Sequence, residues 1–263
     1  MSAKTRHNVK VLGTGDKTML FAHGYGCDQN MWRFLTPQFE NEYRIVLYDL
    51  LGCGKSDLST YDRKKYGSLR GHAEDVNAIL QECATGPAVF VGHSVSAMIG
   101  LLAGVAQPEL FDSHVMIGPS PCYINQDDYI GGFTRADIES MLETLDSNYL
   151  GWASAMAPTI MGAPDQPALR AELTNSFCAT DPEIAKHFAR TTFLSDNRAD
   201  VPKLTARTLI LQCSDDIIAP RQVGDYLKAT LPNATLALIE NVGHCPHLSN
   251  PTAIAAAMKT FLP

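Results

Sequence analysis

Short apolar, β-branched runs alternate along this chain with longer stretches in which apolar residues recur every three or four positions. The runs at 9–12, 19–22, 44–48, 88–91, 114–117, 208–212 and 235–239 predict strands. Between them, 28–39, 69–83, 95–106, 221–231 and 252–261 predict helices, the last following Asn250-Pro251 with proline at an early helical position. Strands alternating with helices imply an α/β fold with a mostly parallel sheet, and no internal repeat or low-complexity linker interrupts it.

From Ser120 to about Val201 the β-rich runs stop. Short amphipathic patterns take over, punctuated by Gly131-Gly132, Pro158, Pro164, Pro167 and Pro182. Residues 121–201 are therefore expected to form a helical lid inserted into a core made of 1–120 and 202–263. Its large apolar residues include Tyr123, Tyr129, Phe133, Trp152, Met156, Met161, Phe177, Phe188 and Phe193. Most should form the lid's own small core, with some left to face a ligand.

The strand at 88–91 ends in Gly92-His93-Ser94-Val95-Ser96 and runs directly into a small, apolar helix. A strand-to-helix turn centred on a serine is the pattern of a nucleophile elbow, which exposes the Oγ and aims the next backbone N–H, that of Val95, at an incoming carbonyl. The usual last glycine of G-x-S-x-G is Ser96 here. Small size is the underlying need, and a serine adds only a hydroxymethyl group.

A serine hydroxyl is a weak nucleophile, so it needs a general base held in one tautomer by a buried acceptor. The chain supplies both in the order serine, acid, histidine. Asp215 and Asp216 lie in the exit loop of the 208–212 strand, and His244 lies on a loop after the last strand, directly behind Gly243. Side chains alternate in direction as a strand ends, so one of the two carboxylates should face the imidazole, and Asp216 is favoured. His247 is expected to be structural or pocket-lining, and His93 to pack under the elbow. His7, His72, His114 and His187 carry no functional reading. Phe21-Ala22-His23-Gly24-Tyr25-Gly26 ends an early strand beside the elbow, which makes the Tyr25 N–H the expected second oxyanion donor.

Other classes fit less well. Gly54-Lys55-Ser56 resembles the end of a phosphate-binding loop, but Asp49 stands where its first glycine belongs. His244 and His247 lack the framework of a metal site, so no metal is expected, and attack by an activated serine requires no cofactor. The chain has 263 residues, 45% hydrophobic and 19% charged, with a net charge of −7 and no basic run, which disfavours nucleic acid and anionic membranes as partners. Seven scattered cysteines read as reduced thiols, the first residues lack the apolar core of a signal peptide, and no apolar run reaches the ~18 residues of a membrane span. A cytoplasmic location is the expectation.

With these parts placed, the whole chain resembles the α/β-hydrolase family, and closely the branch containing the bacterial stress-response regulator RsbQ and the plant strigolactone and karrikin receptors. The resemblance is carried by residues 23–29 (HGYGCDQ), 92–100 (GHSVSAMIG), 131–133 (GGF), Gly243-His244, 116–125 (MIGPSPCYIN), 210–220 (ILQCSDDIIAP) and 243–249 (GHCPHLS). It implies an α/β-hydrolase fold whose mostly parallel twisted sheet is flanked by helices and covered by a four-helix V-shaped lid over an apolar pocket. It also implies Ser94, Asp216 and His244 as the triad. Tyr25 departs from the phenylalanine usual at that pocket wall. Tyr25, Phe133, Trp152 and Phe193 are the expected substrate-binding residues. Two functions follow: a serine hydrolase of a small apolar ester or lactone, or a signalling protein that binds or slowly cleaves such a molecule and engages a protein partner through its lid. A serine at the elbow argues against dehalogenase and epoxide hydrolase chemistry, which need a carboxylate nucleophile.

Overall fold

The computed structural model describes residues 1–262. In chain order its helices and strands are α1 (Ala3–Arg6), β1 (Lys10–Leu12), β2 (Lys17–Ala22), β3 (Tyr43–Leu47), α2 (Leu69–Cys83), β4 (Ala88–His93), α3 (Val95–Ala106) and β5 (Phe111–Ile117). Then follow α4 (Arg135–Ser147), α5 (Tyr149–Met161), α6 (Pro167–Ala179), α7 (Pro182–Phe193), β6 (Arg207–Asp215), α8 (Arg221–Thr230), β7 (Ala234–Val242), α9 (Pro246–Ser249) and α10 (Pro251–Phe261). The strands form one seven-stranded sheet in the order β1-β3-β2-β4-β5-β6-β7. Only the β1–β3 pairing is antiparallel, so the strands that matter for the site all end on one edge.

The central strand β4 is buried over its whole length, as expected of a continuous apolar run in a parallel sheet. The helix α3 that follows is buried almost all round, from Val95 to Gly104, which suits the helix behind the sheet centre rather than a surface one. α2 is amphipathic instead: Leu69, Ala73, Val76, Ile79, Leu80 and Cys83 turn inward, and it packs on α3.

Two expectations are corrected. The helix anticipated at 28–39 is a pair of 3₁₀ turns, Gln29–Trp32 and Thr36–Gln38. The Asp28 carboxylate accepts the Asn30 N–H, and Pro37 has no N–H to continue a longer helix. Pro158, read as an interruption between helical patterns, lies instead inside the last turn of α5. Pro167 and Pro182, which also punctuate the pattern, each open a helix, α6 and α7, where a missing N–H costs no hydrogen bond. Four helices, α4 to α7, thus stand between β5 and β6, preceded by an irregular stretch held by isolated bridges such as Ile124 with Phe133.

Candidate active site

The turn from β4 into α3 forces Ser94 into φ 57°, ψ −126°, a region costly for any residue with a side chain. The Ser94 N–H donates to the Ile117 carbonyl at the end of β5 (2.8 Å), so the neighbouring strand holds the turn in place. The hydroxyl is thereby presented above the sheet edge. Its Oγ lies 2.8 Å from His244 Nε2, and His244 Nδ1 lies 2.7 Å from Asp216 Oδ2. These bonds fix a consistent assignment in which Ser94 donates to Nε2 and the Nδ1–H donates to the carboxylate.

The two candidate acids separate as strand alternation requires. Asp215 closes β6, pairs in register with Val242 and is exposed, whereas Asp216 begins the following turn and its side chain is buried. Asp216 Oδ1 accepts the backbone N–H groups of Ile218 (2.8 Å) and Ala219 (3.2 Å), leaving Oδ2 for the histidine. Gly118 lies beneath this pair at φ 57°, and a Cβ there would come within 3.1 Å of the His244 ring. The positive φ favours glycine at that point, and a larger residue would also press on the imidazole.

His244 is held through its own peptide groups. Its N–H donates to the Ile160 carbonyl in α5 (2.8 Å), and its carbonyl accepts from His93 Nε2 (2.8 Å). His93 also packs against His244 and His247, and His247 is sandwiched onto Trp32, fully buried. Burial holds the His93 and His247 imidazoles below the usual histidine range, His247 at about 3, so both stay neutral.

The backbone N–H groups of Tyr25 and Val95 are the ones expected to serve as oxyanion donors. No turn or loop hydrogen bond among the described residues engages either. The loop carrying Tyr25 is braced by His23, whose Nε2 accepts the Leu50 N–H (3.0 Å) while Nδ1 bonds the Gly24 carbonyl (2.9 Å). Ser96 does more than fit: its hydroxyl donates to the His23 carbonyl at 2.5 Å, tying the elbow helix to this loop. The Asp49 to Ser56 segment is a turn organised by the buried Asp49 carboxylate, which accepts from Asn8, Gln29 and Lys55.

Above the serine is a tight cavity of about 30 Å³, room for a water molecule or two and well below the size of ordinary ligand sites. Of the four residues expected to bind substrate, Tyr25, Trp152 and Phe193 line this cavity. Phe133 is not among the lining residues: its N–H donates to the Tyr123 carbonyl and its carbonyl accepts from Asn125, which fixes it in the stretch before α4. Sequence reasoning missed Cys27, Ile160, Leu173, Phe177 and Ile218 as walls. Phe177 was visible only as one lid aromatic among many. Tyr123 is a further omission. It packs on Phe193 and directs its hydroxyl toward Ser94; burial raises that hydroxyl's pKa and the serine partly offsets the shift. The Tyr25 hydroxyl points away from the reacting atoms and donates to the Ala185 carbonyl in α7 (3.0 Å). Burial raises its pKa well above the usual value, so it remains a donor.

Among the described residues no group of three or more His, Cys, Asp or Glu side chains is placed to hold a metal ion, and no helix is long and apolar enough to cross a membrane. All seven cysteines are free thiols.

Comparison with known proteins gives a consistent result. The chain is 37% identical over 249 residues to the Karrikin insensitive 2 receptor CA of Petunia hybrida, covering 94% of this chain and 92% of that protein. It is 36% identical over 257 residues to Strigolactone esterase D14 of Arabidopsis thaliana, covering 97% and 96%. A solved hydrolase from Oleispira antarctica shares 41% identity and superimposes with a TM-score of 0.95 over 98% of this chain and 95% of its own. The signature of the Alpha/beta hydrolase family spans residues 19–257, and this chain belongs to that family.

Proposed function

We propose that this protein is a serine hydrolase of a small apolar ester or lactone, butenolide-like in shape, acting through an acyl-Ser94 intermediate. The observation that carries the reading is the unbroken chain from Ser94 Oγ to His244 to Asp216, at 2.8 and 2.7 Å, on the floor of a narrow apolar cavity. Ser94 attacks the carbonyl carbon as His244 Nε2 takes the hydroxyl proton, and the Asp216 carboxylate stabilises the imidazolium. The oxyanion collects the Tyr25 and Val95 N–H groups. His244 then returns the proton to the leaving oxygen, and a water activated by the same histidine hydrolyses the acyl-serine. For a lactone the freed alcohol stays tethered to the acyl group through its carbon chain, and the second step releases a single hydroxy acid. In this reading residues 121–201 act as a lid whose aromatic side chains select the acyl group, and the free thiols suit a reducing, cytoplasmic compartment.

The test is intact-protein and peptide mass spectrometry after treatment with a serine-directed alkyl phosphonate, with turnover of a panel of short acyl esters and butenolides. Labelling at Ser94, lost in His244→Ala, is expected. Labelling elsewhere, or full esterase activity in Ser94→Ala, overturns the assignment.

A second reading is supported by the receptor named among the similar proteins: slow cleavage that leaves a long-lived ligand-bound state, engaged through the lid by a protein partner. Turnover on the order of 1–10³ s⁻¹ on a small ester favours metabolism. Negligible turnover together with a ligand-dependent, stoichiometric protein complex favours signalling.

A further inference from the structure

The C-terminal end of α5 and the loop carrying His244 lie backbone against backbone. The His244 N–H donates to the Ile160 carbonyl (2.8 Å) and the Ala163 N–H to the Val242 carbonyl (3.2 Å). A Cβ on Gly243 would come within 2.0 Å of the Met161 carbonyl oxygen, and one on Gly162 within 2.6 Å of the Val242 carbonyl oxygen and 2.7 Å of the Gly243 Cα. The approach is reached by ending α5 with two successive left-handed residues, Gly162 at φ 61° and Ala163 at φ 42°, although alanine disfavours that region. Ile160 itself lines the cavity, and Trp152, two turns earlier on the same helix, forms another part of its wall. One residue therefore faces the ligand with its side chain and holds the base with its carbonyl.

We infer that Ile160 is a positioning residue for His244, so that the α5 wall of the cavity and the base move as one body. This rests on His244 being the base. A ligand that displaces α5 outward carries the Ile160 carbonyl with it and draws the imidazole away from Ser94, whereas a ligand that fits leaves the 2.8 Å contact intact. Acyl size is thereby read in the rate of the chemical step as well as in binding.

Two experiments test the link. Gly162→Ala drives a Cβ into the contact and strains the left-handed end of α5; Gly13→Ala, at φ 75° in the β1–β2 connection far from the site, is equally strained and serves as the control. With p-nitrophenyl acetate, kcat of Gly162→Ala should fall about 10²-fold with little change in KM, while Gly13→Ala loses thermal stability but keeps its kcat. Equal kcat in the two variants overturns the proposal. Native-state hydrogen exchange of the unmodified protein in low urea provides the second arm, which needs no variant to fold. The amides of Ala163 and His244 should exchange through one opening with the same urea dependence. A His244 amide that stays protected while the end of α5 opens overturns the link. Failure of Ser94 to take the phosphonate in the unmodified protein would instead overturn the hydrolase reading and leave the exchange result standing by itself.

Discussion

The loops at the strand ends and the helices α4 to α7 meet at the same cavity but contribute in different ways. In the loops the groups proposed to react are fixed by main chain: Ser94 by its strained turn and the Ile117 carbonyl, Asp216 by two backbone N–H groups, and His244 by hydrogen bonds of its peptide groups on both sides. In the helices the cavity is shaped by side chains. Trp152 and Phe177 stack at 6.0 Å, and Tyr25 stands edge-on to Phe177 at 5.6 Å. Reaction geometry is therefore written into backbone hydrogen bonds, and ligand choice into aromatic volume. Substitutions in the first region should act on kcat, and side-chain substitutions in the second on binding, the end of α5 that holds His244 being the exception.

The largest effect tests the first half. Ser94→Ala should lower kcat by about 10⁶-fold while a non-reacting ligand binds within a few-fold of its original affinity. Steady-state kinetics and calorimetry measure the two quantities, and a comparable loss of affinity would blur the division. Asp216→Asn should cost about 10⁴-fold in kcat by leaving the imidazole in the wrong tautomer. Asp215→Asn, on an exposed carboxylate, should leave kcat almost unchanged. The reverse ranking would contradict the turn geometry.

Acid stability sharpens the contrast in a different way. Burial lowers the pKa of His72, His114 and His247 to about 3, so the fold holds them neutral while the unfolded chain protonates them below about 6.5. The unfolded state binds more protons in that window. Their stabilisation is complete above pH ~6.5 and lost as pH falls toward 3, at up to about 1.4 kcal/mol per pH unit for each histidine. Urea unfolding between pH 4 and 8 checks the slope; a flat profile would mean these rings find partners when charged.

In the helices, Trp152→Ala should weaken an apolar pocket ligand by about 10- to 100-fold. Phe133→Ala should leave that affinity nearly unchanged, because Phe133 lies outside the cavity wall. Calorimetry on variants with native circular dichroism decides this. Tyr25→Phe is the smallest and divides a single residue between the two regions. It keeps the backbone N–H but deletes the bond to Ala185, so it should cost about 0.5–1.5 kcal/mol of stability with kcat unchanged. Calorimetric unfolding and initial rates measure each part.

Much of this was legible in advance because its causes are local. The apolar run into Gly92-His93-Ser94 announces a buried strand and a tight turn whatever surrounds it, and the bounds of α2 and α3 match their sequence pattern residue for residue. Alternation at a strand end announced that one of Asp215 and Asp216 faces inward, and the position of Asp216 four residues before Pro220, with the family resemblance, favoured Asp216. The 28–39 segment misled because Met31, Trp32 and Leu35 satisfy a helical pattern as well as they satisfy short 3₁₀ turns, and the choice was made by Pro37 and the Asp28 side chain.

The sequence by itself determined the order of strands and helices, the turn that presents Ser94 and the succession of serine, acid and histidine, since each depends on the conformational preferences of a few adjacent residues. Only the tertiary structure decided which aromatic residues between 121 and 201 reach the cavity, what Ser96 does in place of a glycine, and that the end of α5 grips the histidine loop. Those outcomes depend on how helices far apart in sequence are oriented against the sheet. Phe133 and Phe177 have the same side chain, and packing alone placed Phe177 in the wall and left Phe133 outside it.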